Sequence, residues 1–175
     1  MDKAAERFRE LFYTSVSRRL RSDVPVGSSL SGGLDSSAVV AVIDDLNKSK
    51  AVKQSTFSAV FPGFEKDESK YIHLLLDRLN VDPHFTSPDA ETMLQELGRC
   101  YYHQEEPFGS ASILAQYEVL KLAKKNNVTV LLDGQGADEL LAGYHPFYQP
   151  FFKELKRTQP ALFTTELAAY RQLHG

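Results

Sequence analysis

Cysteine is nearly absent from this sequence, since Cys100 is the only one among 175 residues. One cysteine can form neither an internal disulfide nor a four-cysteine zinc site, so the sequence excludes a disulfide-stabilised scaffold and fits a reducing compartment. Its helical spacing from Leu97 predicts a buried, small apolar side chain. His73 lies among apolar residues of a predicted helix, and we interpret it as an interface or partly buried histidine. His103, Glu105 and Glu106 follow one another on a loop and do not define the geometry of a metal site.

Long apolar runs are also missing, because no stretch approaches the roughly 20 residues of a membrane helix. The start, Met1-Asp2-Lys3, is charged and does not resemble a signal peptide. The sequence also lacks a large excess of charge of one sign, since 23 acidic and 20 basic residues give a net charge of −3. Binding to nucleic acid through bulk positive charge is therefore not expected. These absences predict a cytoplasmic protein without membrane or nucleic-acid partners.

The composition is that of an ordinary globular protein, with 42% hydrophobic and 25% charged residues. A chain of this length favours a single domain over residues 1–175. Helical spacing of apolar residues predicts helices over 4–21, 36–48, 67–79, 89–103 and 110–126. Shorter extended runs predict strands over 25–30, 54–61, 84–86 and 128–132.

Strands that alternate with helices predict an α/β fold, a doubly wound and mostly parallel sheet with helices on both faces. The core would span about residues 24–142, followed by a helical tail over 143–175. The nearly all-apolar segment 128–132 is typical of a strand buried on both faces.

A glycine-rich loop follows the first predicted strand, with the sequence Ser31-Gly32-Gly33-Leu34-Asp35-Ser36-Ser37. Adjacent glycines let backbone N–H groups approach an anion, and the next helix adds its positive N-terminal end. Asp35 is compatible with a phosphate when a magnesium ion lies between them. The loop has no lysine and is not a GxxxxGK[ST] P-loop. A tight turn with a serine cap is the alternative interpretation.

A second loop follows the last predicted strand and reads Asp133-Gly134-Gln135-Gly136-Ala137-Asp138-Glu139, continuing to Ala142-Gly143-Tyr144. Taken alone, Asp138 and Glu139 are also what an ordinary acidic helix start looks like. Ligands in parallel α/β sheets bind beyond the carboxyl ends of the strands, where both loops are expected.

The first loop resembles SGGxDSS, the pyrophosphate-binding loop of the PP-loop ATP pyrophosphatases, which have an adenine nucleotide α-hydrolase-like fold. The second resembles the [SD]G[EDQ]GxDE…GGY signature of asparagine synthetases, and the resemblance covers about residues 24–148. It implies ATP and Mg²⁺ as cofactors, with the metal held by Asp35 and Asp138. It also implies catalytic roles for Asp35, Asp138 and Glu139. The implied nucleotide-binding residues are Leu30, Ser31, Gly32, Gly33, Asp35, Ser36, Ser37, Ala59, Asp133 and Gly134.

The resemblance implies adenylation of the aspartate side chain by ATP, followed by attack of ammonia to give asparagine, AMP and pyrophosphate. Two alternatives remain: an amide-forming synthetase acting on another acid, and a non-catalytic nucleotide-binding module. Gln135 replaces the glutamate of many family members and cannot act as a base. This departure favours the non-catalytic alternative.

Two features predict that the chain is a truncated synthetase domain. The glutaminase nucleophile of the family is a cysteine after the initiator methionine, where this sequence has Asp2, so the glutaminase domain or subunit that donates ammonia is expected to be absent. The family also carries a further helical segment after its GGY motif, longer than the tail of this chain. Tyr144, Phe147, Tyr148, Phe151 and Phe152 share one helical face. That face would pack on the helices of the sheet, or on a missing segment or a second subunit in a homodimer.

Overall fold

The computed structural model describes residues 2–49, 52–65 and 67–174. Within these residues a four-stranded parallel sheet has the order β3-β2-β1-β4. The strands are β1 (Val26–Ser29), β2 (Gln54–Ala59), β3 (Val81–Thr86) and β4 (Val130–Leu131). The helices are α1 (Asp2–Arg19), α2 (Leu34–Asn47), α3 (Ser69–Leu76), α4 (Ala90–Gln104), α5 (Ala111–Lys125), α6 (Ala137–Leu141), α7 (Tyr148–Thr158) and α8 (Pro160–His174), with a 3-10 helix at His145–Phe147.

Successive strand residues point to opposite faces of the sheet, so apolar side chains lie on both faces. Helices cover both of these apolar faces. On one face, Leu30 packs with Val40 of α2 and Ile72 of α3. On the other face, Phe57 of β2 packs against Val119 and Ala123 of α5. The predicted α/β fold with a parallel sheet is therefore confirmed.

The two edge strands differ from their predictions. β3 starts at Val81, three residues before the predicted strand, and includes Pro83, a residue that an edge strand tolerates because one side of its backbone is unpaired. β4 is only Val130–Leu131, and Val130 is 40% exposed. The prediction of a strand over 128–132 buried on both faces holds for part of the segment. Val128 is buried, and Leu131 and Leu132 pack partly against two separate core clusters, whereas Val130 is exposed at the sheet edge.

Two helices expose residues that the spacing predicted to be buried. In α1 only Val16 is buried, and Phe8 and Leu11 are exposed. In α3 Ile72 is buried instead of Tyr71 and Leu74. Each helix packs one stripe of its surface against the core. Phe12 and Tyr13 accompany Val16 in α1, and Leu75 and Leu76 accompany Ile72 in α3. Apolar residues outside these stripes stay exposed.

The chain forms two compact units, Met1–Gly134 and Gln135–Gly175. The division falls inside the second signature loop, earlier in the sequence than the predicted start of the tail at residue 143. The single domain over 1–175 stays a prediction.

The second unit contains the aromatic residues of the tail. Tyr144 precedes the 3-10 helix and only Tyr148 onwards is α-helical, so the five aromatic residues do not share one helix face. The tilted rings of Tyr148 and Tyr170 of α8 lie 4.7 Å apart between ring centres, and Phe152 contacts Phe163 and Tyr170. The partner of these rings is therefore α8, which neither expectation named.

Candidate functional site

The first loop joins the end of β1 to the start of α2. Gly32 has φ +87°, a left-handed conformation that favours glycine. A Cβ at Gly32 would lie 3.0 Å from the Glu68 carbonyl oxygen, so the loop passes close to the start of α3. Helix α2 begins at Leu34, two residues earlier than predicted. Asp35, Ser36 and Ser37 are thus first-turn residues of this helix.

Serine side chains close the first loop through hydrogen bonds within it. The Ser36 hydroxyl accepts from the Ser31 N–H at 3.3 Å, lies 3.0 Å from the Ser31 hydroxyl and donates to the Gly33 carbonyl at 3.2 Å. The Ser37 hydroxyl donates to the same carbonyl at 2.6 Å. The Ser31 hydroxyl accepts from the Gly33 N–H at 3.3 Å. The loop is therefore closed by hydrogen bonds among its own residues.

A cavity of about 630 Å³ opens beside this loop at the carboxyl ends of β1 and β2. Its volume is within the range typical of small-molecule sites. Three predicted nucleotide-binding residues, Leu30, Ser31 and Ala59, line it. The other predicted residues of the first loop come after Ser31 in the chain and are not among the lining residues. The remaining lining residues are Ser29, Phe57, Phe61, Phe64, Asp67, Glu68, Met93, Ala111, Ser112, Ala115, Gln116 and Val119.

The wall formed by α5 was missed by the sequence analysis. Ala111, Ser112, Ala115 and Gln116 form a narrow stripe of small and polar residues on a leucine-rich helix. That stripe is the signal that could have identified this wall.

Helix α5 is fixed to α4 by an ion-pair cluster. Lys121 lies 2.8 Å from Glu118 of its own helix and 2.9 Å from Glu96 of α4. Glu118 is 8% exposed. A partly buried cluster of this kind restricts how far the helix can shift, which preserves the shape of the cavity wall.

The segment between β2 and α3 forms another wall. Asp67 accepts hydrogen bonds from the Ser69 hydroxyl and from the Phe61 N–H, the latter at 3.0 Å. These bonds stabilise the carboxylate and hold the pKa of Asp67 below its usual value. Asp67 thus closes the turn that carries Phe61 and Phe64 into the cavity lining.

The end of β4 contacts both the cavity wall and α2. The Asp133 carboxylate accepts from the Ser29 N–H at 3.1 Å and from the Gln116 side-chain amide at 3.4 Å. A Cβ at Gly134 would lie 2.8 Å from the carbonyl carbon of Asp35 and from the nitrogen of Ser36. Glycine is needed here because a side chain would overlap the backbone of α2. Contact of Gly134 with the nucleotide stays a prediction.

The second unit holds Asp138 and Glu139 in the first turn of α6. A Cβ at Gly143 would overlap the Asp138 carboxylate, so Gly143 leaves the room that this carboxylate occupies. The Tyr144 hydroxyl donates to Glu139 at 3.1 Å. Ala142 has φ +57°, a left-handed conformation usually adopted by glycine.

The residues predicted to bind magnesium belong to different units. The carboxylate of Asp35 has no hydrogen-bond or ion-pair partner in the described part of the chain, so it can act as a ligand. Residues 2–49, 52–65 and 67–174 contain no group of three acidic, histidine or cysteine side chains that could hold a metal. Magnesium does not require one, since it keeps several waters and uses one or two carboxylates together with phosphate oxygens. The pairing of Asp35 with Asp138 stays a prediction.

The other residues considered in the sequence are accounted for by local packing. Cys100 is buried, as predicted, and burial raises the pKa of its thiol. His73 is exposed and lies near the Phe85 ring. His103 is exposed beside Tyr102 and Tyr117. Among the described helices, none is long and apolar enough to cross a membrane.

Comparison with known proteins decides the family. The model of the family described as asparagine synthase matches residues 7–174. The chain belongs to the asparagine synthase family. Enzymes of this family use ATP.

Three similar relatives illustrate the range of the family. A putative glutamine-hydrolysing asparagine synthetase 2 of Methanocaldococcus jannaschii is 41% identical, over 99% of this chain and 33% of the relative. Glutamine-hydrolysing asparagine synthetase 1 of Bacillus subtilis is 40% identical, over 85% of this chain and 23% of the relative. Amidase chry2 of Gibberella zeae is 27% identical, over 93% and 26%. The chain thus spans a third or less of the length of these relatives.

Proposed function

We propose that this chain is the ATP-binding synthetase domain of an asparagine synthase-type ligase. In the reaction, a side-chain carboxylate oxygen of aspartate attacks the α-phosphorus of ATP, and the bond to the β-phosphate bridging oxygen breaks to release pyrophosphate. Ammonia then attacks the acyl carbon of the adenylate, loses a proton and displaces AMP to give asparagine. The observation that carries this proposal is the cavity beside the Ser31–Ser37 loop, in a chain of this family.

The cavity suits the nucleoside part of ATP. Its lining is mostly apolar, and the charged residues among the described lining, Asp67 and Glu68, are acidic. Acidic groups can accept hydrogen bonds from sugar hydroxyls and repel phosphates. The triphosphate would therefore extend from the cavity to the first loop, where Gly32, Gly33 and the N-terminal end of α2 favour negative charge.

Magnesium would be held by Asp35 and Asp138, and it supplies neutralisation of the charge that develops on the leaving pyrophosphate. Asp35 is suited to this role because its carboxylate has no partner among the described residues, at the helix end where phosphates are expected. Glu139 would orient Asp138 or bind a metal-bound water, and Tyr144 already limits its freedom. The serine bonds of the first loop hold the phosphate-binding backbone in place, which reduces the entropy lost on binding.

Aspartate and ammonia complete the proposed reaction. The names of the relatives include glutamine hydrolysis. We propose accordingly that a separate glutaminase domain or subunit supplies ammonia to this domain in a cytoplasmic enzyme. Homodimer formation belongs to the same proposal and is tested by sedimentation of the purified chain.

Calorimetry with ATP and magnesium tests the binding step. Wild-type chain is expected to bind Mg-ATP, and Asp35→Ala is expected to lose the dependence of affinity on magnesium. Asp77→Ala, a change at an exposed aspartate at the end of α3, is the matched control and should bind as wild type. Failure of the wild type to bind would overturn the proposal, and equal magnesium dependence in Asp35→Ala would overturn the metal assignment.

A second candidate is an amide-forming synthetase that adenylates another acid. It is favoured by the similarity to an amidase. Exchange of labelled pyrophosphate into ATP, measured with a panel of acids, separates the candidates. Aspartate-dependent exchange supports the first proposal, and exchange with a different acid alone supports the second.

A further inference from the structure

We propose that Gln116 is a positioning residue that links occupation of the cavity to the placement of Asp133 and Gly134 against the start of α2. The inference rests on the proposed function, because it assigns a role within the same nucleotide site. None of the sequence motifs includes Gln116, which lies in the middle of α5.

The Gln116 amide bridges two elements at the carboxyl edge of the sheet. Its Nε2 atom lies 3.4 Å from Oδ2 of Asp133 and 3.5 Å from Oγ of Ser29. An ionised carboxylate can only accept hydrogen bonds, so the amide must turn its NH₂ group towards Asp133. Both contacts are at the long end of the hydrogen-bond range, which leaves the amide room to tighten when the cavity fills.

Asp133 depends on few donors. In the described part of the chain, its carboxylate accepts from the Ser29 N–H and from Gln116. The Ser29 bond comes from the backbone, so Gln116 is the side chain that sets the direction of Oδ2. Without it, one carboxylate oxygen loses its donor, and leaving a partly buried carboxylate oxygen without a donor costs free energy.

The next residue transmits this placement to the first loop. Gly134 lies in van der Waals contact with the backbone of Asp35 and Ser36. Gln116 itself lines the cavity, on a helix that Lys121 fixes to α4. A nucleoside in the cavity therefore touches the side chain that orients Asp133. Gly134 comes directly after Asp133 and packs against the turn of α2 that contains Asp35, so a shift of Asp133 changes this packing.

Reversal of the hydrogen-bond polarity tests this role. In Gln116→Glu a carboxylate replaces the donor, and the two carboxylates repel each other. The double variant Gln116→Glu with Asp133→Asn restores a donor and an acceptor in the opposite direction. Gln95→Glu is the matched control, because Gln95 also donates to a carboxylate, that of Glu91 at 3.2 Å, on the exposed surface of α4.

The measurement is the dissociation constant of Mg-ATP by calorimetry, from about pH 8 to about pH 5.5. Gln116→Glu is expected to bind about tenfold more weakly than wild type at the upper pH, the factor for one lost hydrogen bond to a charged group. Adjacent like charges raise the pKa of one carboxyl, so acidification protonates the pair and restores an O–H donor. The ratio of variant to wild-type dissociation constant should therefore fall towards one as the pH falls.

The double variant should bind more tightly than Gln116→Glu at the upper pH and show no such recovery on acidification, and Gln95→Glu should match wild type throughout. Asp67 and Glu68 line the cavity in every variant, so their contributions cancel in the ratios. Equal binding of Gln116→Glu and wild type, or a double variant that binds no more tightly than Gln116→Glu, would overturn the inference alone. A wild-type chain that does not bind Mg-ATP would overturn the proposed function as well.

Discussion

The first loop, Ser31 to Ser37, is closed by hydrogen bonds among its own residues, whereas the second, Asp133 to Glu139, is held by residues elsewhere in the chain. In the first, Ser36 and Ser37 both bond to Gly33. In the second, Asp133 bonds to Ser29 and Gln116, and Glu139 accepts from Tyr144. The structure of a loop whose hydrogen-bond partners lie within it can be predicted from its own sequence. The structure of a loop held by distant residues can be predicted only when the fold is known.

This difference predicts how substitutions in each loop affect the structure. A change within the first loop should act locally, through strain or a lost internal bond. A change at Asp133 or Gly134 in the second should propagate, because these two residues contact β1, α2 and α5. Substitutions at glycines, where the available space is defined, separate the two cases.

Gly134→Ala is expected to have the largest effect. Its Cβ would lie 2.8 Å from two backbone atoms of Asp35 and Ser36, so the second loop must move away from α2. Forcing atoms into a packed contact costs up to about 3 kcal/mol, and we expect a loss of unfolding free energy near that value. Urea unfolding measures the loss, and Mg-ATP calorimetry should show weakened binding.

Gly98→Ala provides the matched control for Gly134→Ala. Gly98 lies within α4, and nothing lies within 4 Å of a Cβ placed there. The same chemical change should stabilise this helix by about 0.5–1 kcal/mol. Wild-type stability in Gly134→Ala would show that the second loop does not depend on its contact with α2.

Gly32→Ala is the corresponding change in the first loop, with a smaller expected effect. The positive φ of Gly32 costs about 1–2 kcal/mol for a residue with a Cβ, and the Glu68 carbonyl oxygen lies 3.0 Å from that Cβ. Gly63→Ala separates strain from crowding, because Gly63 has φ +84° and nothing within 4 Å of its Cβ. If both variants lose equal stability and Gly32→Ala binds Mg-ATP as wild type, the first loop tolerates displacement. That result would contradict the proposed difference between the two loops.

The fold class and the position of the first loop could be predicted from the sequence. Alternating apolar segments are dictated by the periods of helix and strand, and glycine and serine carry their own turn geometry. The edge strands were misjudged: Pro83 concealed the first half of β3, and the apolar residues of 128–132 concealed that β4 is short and partly exposed. The α5 wall was not predicted, because its closeness to the first loop arises from pairing between strands far apart in sequence.

Ala142→Gly tests the second unit, where the expected change is a gain. Ala142 ends α6 with φ +57°, a conformation that costs alanine about 1 kcal/mol relative to glycine. Slower hydrogen exchange of the amides around α6 would measure this stabilisation. Ala168→Gly, at an exposed position inside α8, should instead destabilise its helix by a similar amount. Faster exchange around α6 in Ala142→Gly would contradict the interpretation.

Asp67→Asn is expected to have the smallest effect and shows whether the first loop is independent of its neighbour. The Ser69 hydroxyl and the Phe61 N–H lower the pKa of Asp67, so its contribution to stability is present above its unfolded pKa and is lost as the pH falls through the lowered value. The stability difference between wild type and Asp67→Asn, measured by urea unfolding, should therefore be positive near neutral pH and vanish in acid. Exchange of the Ser31 and Gly33 amides should remain unchanged, because their acceptors lie inside the first loop. Faster exchange of both amides in Asp67→Asn would show that the β2–α3 segment, and not the serines alone, closes the loop.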